Sequence, residues 1–216
     1  MIMTDWIMAW AGAYLLGSMP CGLIWAKLLK HIDVRKQGSG RTGGANVWRS
    51  AGFPAALLTA ISDALKGAAA IWLARGLGIS PLGIAAAGAL SIVGHNYSIF
   101  LGFRGGAGTA TSIGAAAALW PATLPILIAS GTGIALLVGH TSVASILIAI
   151  LLPTLFSIHG DPAAAAGFGI PVMLLTLWAL RPNIRRLLNQ EERFLPIYLE
   201  KPPLVRLSRH PAANNS

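Results

Sequence analysis

Apolar residues recur along this chain in stretches long enough to cross a lipid bilayer, separated by short polar connectors. A hydrocarbon layer of roughly 30 Å takes about 20 helical residues. Stretches of that kind fall near 6–29, 52–74, 80–101, 107–120, 122–138, 141–158 and 163–180. The pattern predicts an all-α, polytopic membrane protein of seven transmembrane helices. Two of the stretches, 107–120 and 122–138, are short and divided only by Trp120-Pro121, with Pro125 just beyond. Proline interrupts a helix, so these two read either as separate tilted spans or as one broken helix, which would lower the count to six.

Composition agrees with a lipid solvent. Of 216 residues, 55% are hydrophobic and 11% charged, against about 25% charged in a soluble domain. Because apolar stretches recur from residue 6 to residue 181, no polar segment is long enough for a separate globular unit. The chain therefore divides into one membrane domain, 1–181, and a basic, proline-rich tail, 182–216, with Pro196, Pro202, Pro203 and Pro211. Within the tail, Ile184, Leu187 and Leu188 beside Arg185 and Arg186 predict a short amphipathic helix drawn to anionic headgroups. The rest is not expected to bury a core. The start, Met1 to Asp5, lacks the basic region of a secretory signal, so the first stretch is read as a mature helix. A single cysteine, Cys21, excludes a disulfide framework or a cysteine metal site within the chain, and the histidines show no metal-ligand spacing. His31 and His210 read as solvated and His159 as lying by an outer turn.

A net charge of +9 suits nucleic acid in a soluble protein, but in a membrane protein it reports orientation. Lys27, Lys30, Arg35, Lys36, Arg41 and Arg49 precede the second span, Arg104 precedes the fourth, and seven more basic residues lie from Arg181 onward, which makes fourteen of the sixteen. With seven spans all fourteen fall on one side. The expectation is an N-terminus outside and a cytoplasmic C-terminus in a bacterial inner membrane, with only Arg75 outside and Lys66 within a span. Trp6, Trp10, Trp48, Trp120 and Trp178 fall near span ends, as interface anchors do. Small residues such as Ala115 to Ala118 and Gly131-Thr132-Gly133 read as helix-packing surfaces.

Two cytoplasmic connectors carry candidate chemistry. The first runs Gly38-Ser39-Gly40-Arg41-Thr42-Gly43-Gly44-Ala45-Asn46-Val47-Trp48-Arg49, and the second runs Gly102-Phe103-Arg104-Gly105-Gly106-Ala107-Gly108-Thr109-Ala110-Thr111. Each sets glycines, hydroxyls and arginine directly before a helix. Glycine backbones can aim several N–H groups at one anion, and a helix start adds positive dipole. Both loops thus read as phosphate cradles, or else as flexible connectors. Asp63 and Lys66, at i and i+3 within a span, are expected to pair. His95 precedes the second loop by about two helical turns and reads as a hydrogen-bonded packing residue or a direct contact to substrate.

With these motifs in order, the chain resembles the bacterial membrane enzymes that transfer a fatty acyl group from acyl phosphate to glycerol 3-phosphate. The resemblance is carried by Gly17-Ser18-Met19-Pro20, Asp33-Val34-Arg35-Lys36, the loop Gly38 to Arg49, Asp63-Ala64-Leu65-Lys66-Gly67, Gly94-His95, Phe100-Leu101-Gly102-Phe103 with its glycine loop, Val143-Ala144-Ser145 and Asn183-Ile184-Arg185-Arg186-Leu187. It implies seven spans, an active site open to the cytoplasm, no cofactor or metal, no use of acyl-CoA, and lysophosphatidic acid as product. It also implies catalytic roles for Ser39, Arg49 and Asn183. Substrate phosphates would be held by the two loops, through Gly38, Gly40, Arg41, Gly43, Asn46, Arg104, Gly105, Gly106, Gly108 and Thr109, with His95 beside them.

Several positions depart from the family pattern. Arg104 and Ala107 stand where two lysines are usual, Leu180 where a histidine is usual, and Arg41 and Ala45 where asparagine and threonine are usual. A tyrosine-containing run is replaced by Gly139-His140-Thr141-Ser142. These departures leave two other readings: a paralogue on the same scaffold with another acceptor or no catalysis, and a transporter using Asp63 and Lys66. The partners expected are acyl phosphate, glycerol 3-phosphate and membrane lipids, not nucleic acid, for a monomer or weak oligomer.

Overall fold

Among the described residues of this computed structural model, which are 3–198, 203–205 and 207, eleven α-helices account for nearly all regular structure and no strand occurs. Met1, Pro202, His210, Pro211 and the tail cations Lys201, Arg206 and Arg209 lie outside the described residues. In chain order the helices are α1 (Met3–Ser18), α2 (Cys21–Lys30), α3 (Gly44–Ala51), α4 (Phe53–Gly76), α5 (Pro81–Asn96) and α6 (Thr109–Leu119). They continue as α7 (Thr123–Val138), α8 (Thr141–Ile158), α9 (Pro162–Ala164), α10 (Ile170–Ala179) and α11 (Arg181–Leu188). A π-turn, Ala165–Gly169, joins α9 to α10.

Five segments are long and apolar enough to cross a membrane: Met3–Lys30, Phe53–Gly76, Pro81–Leu101, Thr141–Ile158 and Pro162–Ala179. The two short stretches become α6 and α7, separate helices joined by a tight turn at Trp120 to Ala122, where Thr123 N–H and Oγ1 both donate to Trp120 O. At 1.5 Å per residue, the 11 residues of α6 reach only about 16 Å, half of a bilayer core.

The first stretch is not one unbroken helix over 6–29. It breaks between Ser18 and Cys21, because Pro20 has no N–H and its ring crowds the preceding turn. The carbonyls released there find buried donors: Ser98 Oγ reaches Ser18 O at 2.5 Å, and Lys66 Nζ reaches Met19 O at 2.9 Å. Irregular backbone at membrane depth is tolerable only when protein satisfies it in this way.

Glycines let two helix pairs touch backbone to backbone. A Cβ at Gly17 would lie 2.0 Å from Ser91 O and one at Gly94 2.2 Å from Tyr14 O, fixing α1 on α5. Likewise a Cβ at Gly67 would lie 2.1 Å from Thr111 O and one at Gly114 1.9 Å from Ala64 O, fixing α4 on α6. The Gly131-Thr132-Gly133 step behaves differently: Gly131 meets the Ile148 side chain, but nothing lies within 4 Å of a Cβ at Gly133. The main core gathers Ile71, Ile92, Leu127, Leu152, Phe156 and Phe168 from α4, α5, α7, α8 and the π-turn. Arg75, the one cation assigned outside, donates to Ala118 O and Leu119 O and so satisfies the end of α6.

The tail forms no core of its own, but part of it docks on the membrane domain. Helix α11 forms as the amphipathic pattern predicts, with no buried residue, but the segment after it folds back. Glu192, Phe194 and Leu195 are buried, the Phe194 ring rests on His140, Leu195 N–H donates to Gly139 O, and Tyr198 OH donates to Leu136 O. Two apolar side chains and a paired carboxylate suffice to dock what composition alone marks as solvated.

Candidate active site

The first glycine loop is built around one side chain. Asn46 is almost fully buried; its Nδ2 donates to Val34 O, Gln37 O and Arg41 O, while its Oδ1 accepts from Ser39 N–H at 3.1 Å. Gly38 and Gly40 take positive φ values of 54° and 71°, which lets the chain wrap this amide. Gly40 N–H donates to Gln37 O. Upstream, Asp33 caps a 3₁₀ turn and accepts from Arg35, whose hydrogen bond holds the Asp33 carboxyl well below the usual carboxylate range. Asn46, expected to bind substrate, has its amide committed to shaping the loop.

The second loop folds onto the end of α5. Gly105 N–H donates to Asn96 O and Gly106 N–H to His95 O, at 3.0 and 3.1 Å. The His95 ring lies against Gly106, where a Cβ would fall 2.1 Å from Nε2. Behind His95 is the buried charge group of the core: Asp63 Oδ1 lies 2.8 Å from Lys66 Nζ and 3.6 Å from His95 Nδ1. The expected Asp63–Lys66 pair is present, and its third member supports the glycine loop.

The cradle as first imagined therefore changes. The N–H groups of Ser39, Gly40, Gly105 and Gly106 are all occupied within the protein. Positive dipole comes instead from two helix starts, α3 at Gly44 and α6 at Thr109, neither of which carries a side-chain cap.

Two adjoining cavities meet at Ser39, Arg41 and Gly106. The first, about 630 Å³, is lined by Arg35, Lys36, Arg104 and Gly105 from the two loops and by Asn96 and Arg181. The buried amide of Asn96 has no hydrogen-bond partner for either Oδ1 or Nδ2 among the described residues. The second cavity, about 520 Å³, has two unlike halves. Arg49, Asn183, Gly43, Gly108 and Thr109 line its polar end together with both helix starts; Phe53, Ile113, Leu127, Ile128, Ala135 and Ile148 line its apolar end. Phe53 and Ile128 are also about half exposed, at 54% and 49%.

The candidates thus sort by cavity. Arg49 and Asn183 line the second, joined by Gly43, Asn46, His95, Gly108 and Thr109; Gly40, Arg104 and Gly105 line the first; Ser39, Arg41 and Gly106 line both; Gly38 lines neither. Arg49 and Arg104, which belong to the two loops expected to hold substrate phosphates, line different cavities. Ala107 and Leu180, two of the departures, both line the second, and the Arg41 guanidinium donates to the carbonyl of Ala179, immediately beside Leu180.

Electrostatics at the polar end are one-sided. Burial, and then the neighbouring Arg186, pulls Arg41 below its ordinary value; burial, and then Arg193, does the same to Arg49. An arginine stays charged regardless, so the shifts record positive charge held close with little to neutralise it. Glu192 accepts from Asn183 Nδ2 and Arg186 Nε, both at 2.8 Å, and so orients the Asn183 amide.

Sequence reading missed Glu192 and Asn96. It also missed the hydroxyls of the α8 start, where Thr109 Oγ1 donates to Ser145 Oγ, Ser145 donates to Thr141 O, and buried Ser142 has no partner among the described residues. The sequence signal for Asn96 and the hydroxyls was their polarity inside apolar stretches; Glu192, in the polar tail, gave none.

Comparison with known proteins gives a consistent result. The family model for glycerol-3-phosphate acyltransferase matches residues 7–190. A glycerol-3-phosphate acyltransferase of Rubrobacter xylanophilus is 40% identical over 180 residues, covering 83% of this chain and 90% of that protein. Among solved structures, the integral membrane glycerol 3-phosphate acyltransferase PlsY in its glycerol 3-phosphate form superposes with a TM-score of 0.81 at 34% identity, covering 88% of this chain and 94% of the other. Its lysophosphatidic acid form gives 0.80 at 33% identity with the same coverage.

Proposed function

We infer the reaction from one premise: the chain belongs to the glycerol-3-phosphate acyltransferase family. It is a multi-pass membrane acyltransferase that converts glycerol 3-phosphate to lysophosphatidic acid. We further propose that acyl phosphate is the donor, that the 1-hydroxyl of glycerol 3-phosphate is the acceptor, and that the site opens to the cytoplasm of a seven-span protein with its N-terminus outside.

The observation that carries the donor assignment is the second cavity, whose lining combines apolar side chains with Ser39, Arg49 and Asn183 and two helix starts. An acyl chain would enter from the bilayer into the apolar half, leaving its phosphate against Arg49 and the helix dipoles. The first cavity, basic and lined by the unpartnered Asn96 amide, suits a small hydrophilic phosphate ester with hydroxyls to bind. The two substrates would then meet where the cavities join, at Ser39, Arg41 and Gly106.

In the reaction, the glycerol hydroxyl oxygen bonds to the acyl carbon and the bond from that carbon to phosphate oxygen breaks. The hydroxyl proton passes to substrate phosphate, and inorganic phosphate leaves. Ser39 donates or accepts a hydrogen bond without becoming acylated; Arg49 and the helix starts oppose the charge that develops. Asn183, oriented by Glu192, holds the donor. A direct test supplies purified protein with glycerol 3-phosphate and either acyl phosphate or acyl-CoA. Lysophosphatidic acid should form from acyl phosphate alone; equal yield from acyl-CoA would contradict the donor assignment.

A further inference from the structure

The segment after α11 carries a charged group for which the reaction above leaves no role. Arg193 stands between buried Glu192 and buried Phe194, and its backbone is fixed on both sides: its carbonyl lies 3.1 Å from His140 Nδ1, and the next-but-one residue, Leu195, donates to Gly139 O. The side chain is thereby aimed rather than free. It lines the second cavity beside Arg49 and Asn183. One terminal nitrogen, Nη2, donates to Gly38 O of the first loop at 3.4 Å. The other, Nη1, is buried and has no hydrogen-bond partner among the described residues.

Charge counting sharpens this. Four arginines line the cavity, Arg41, Arg49, Arg186 and Arg193, against two carboxylates that are already paired, Glu192 with Arg186 and Asp63 with Lys66. Arg193 is the neighbouring cation that acts most strongly on Arg49. Two close, half-buried guanidinium groups repel unless an anion lies between them, and guanidinium donors match phosphate oxygens in geometry as well as charge.

We propose that Arg193 is a substrate-binding residue, donating through Nη1 to a phosphoryl group held jointly with Arg49. The tail is then part of the phosphate site. This rests on the acyltransferase reading for the identity of the phosphate, which belongs either to the acyl phosphate donor or to glycerol 3-phosphate; the second cavity favours the donor.

The test uses the full-length protein in detergent with inorganic phosphate as the probe. Arg193→Gln keeps a donor for Gly38 O but loses the charge, whereas Arg193→Lys keeps the charge. Calorimetric phosphate affinity should fall about tenfold in Arg193→Gln and recover in large part in Arg193→Lys, with unchanged unfolding midpoints. Turnover distinguishes the source: a raised KM for acyl phosphate with KM for glycerol 3-phosphate unchanged assigns the donor phosphate, and the reverse assigns the acceptor. If Arg193→Gln binds phosphate as the native protein does, Arg193 only ties the tail to the first loop and the proposal is overturned, while lysophosphatidic acid formation by the native protein would still stand. Should both variants fold poorly, amide exchange on the native protein decides: added phosphate must slow exchange at residues 192–195, and no slowing also overturns the proposal. Phosphate binding through Arg193 in a native protein that forms no lysophosphatidic acid would instead leave the site and remove the reaction.

Discussion

The two glycine loops look alike as sequence and are built in opposite ways. The first, Gly38 to Arg49, is held from inside: a single buried side chain, Asn46, gathers three carbonyls and one N–H around itself. The second is held from outside, its N–H groups bonded to the last carbonyls of α5 and its Gly106 pressed on His95, which in turn rests on Asp63 and Lys66. Similar composition thus conceals a local device in one loop and a long-range one in the other. The difference teaches that a glycine-rich loop near phosphate chemistry need not offer its own N–H groups. Here the glycines permit close packing and wrapping, and the free dipole comes from the helices that follow.

The largest effect should come from breaking the outside support. Asp63→Asn leaves Lys66 buried without its counter-charge, and breaking a buried pair costs about 3–5 kcal/mol. The unfolding midpoint of purified protein should drop steeply. Asp63→Asn/Lys66→Met should recover much of the loss, since the uncompensated charge is gone; a double variant no more stable than either single one would remove the pairing from the account.

A smaller loss is expected from the contact itself. Gly106→Ala drives a methyl group into the His95 ring, at 2.1 Å from Nε2, and overpacking of this kind costs about 1–3 kcal/mol. Gly43→Ala is the matching change in the first loop, where the nearest atom to the new Cβ is 3.8 Å away; its cost should stay within about 1 kcal/mol, at the level of a helix-cap exchange. Thermal melts and turnover of the pair should separate clearly, and equal behaviour would erase the difference in support.

Asn46→Ala tests the inside device. It strands Ser39 N–H and the carbonyl of Arg41, while the carbonyls of Val34 and Gln37 keep the N–H groups of Gln37 and Gly40, and a buried unsatisfied group costs roughly 1–3 kcal/mol, reduced where water can enter. Because Ser39 loses its position, kcat should fall more than the change in stability alone accounts for. Asn46→Ala with native kcat would mean that the loop holds its shape without the amide.

Much of this was legible before any coordinates. Long apolar stretches at 52–74, 80–101, 141–158 and 163–180 correspond closely to helices because lipid imposes a length and a composition together. Ser39, Arg49 and Asn183 were readable from motif order, although nearly 150 residues separate the first from the last, and they line one cavity. The break at Pro20 was less legible: a lone proline in an apolar stretch kinks as often as it breaks, and what tips the balance is Ser98 and Lys66 arriving from elsewhere. Nor could the occupancy of the loop N–H groups be read, since Asn46 Oδ1, which accepts from Ser39, and the carbonyls of His95 and Asn96, which accept from Gly106 and Gly105, are brought there by folding. The docked tail failed to register for a related reason. Its composition is polar, and only the position of Phe194 over His140 makes two apolar residues enough.

The assignment of Arg49 and Arg104 to separate anions is the center of the account, and paired kinetics on Arg49→Ala and Arg104→Ala test it most directly. Arg49 lines the second cavity and Arg104 the first. With acyl phosphate and glycerol 3-phosphate varied in turn, Arg49→Ala should lower kcat and raise KM for acyl phosphate about tenfold or more, as expected for a lost charge-assisted contact. Exposed Arg104→Ala should raise KM for glycerol 3-phosphate by a few-fold and leave the donor KM unchanged. If both variants shift the same KM together, the two loops serve a single phosphate, and the division into donor and acceptor cavities is wrong.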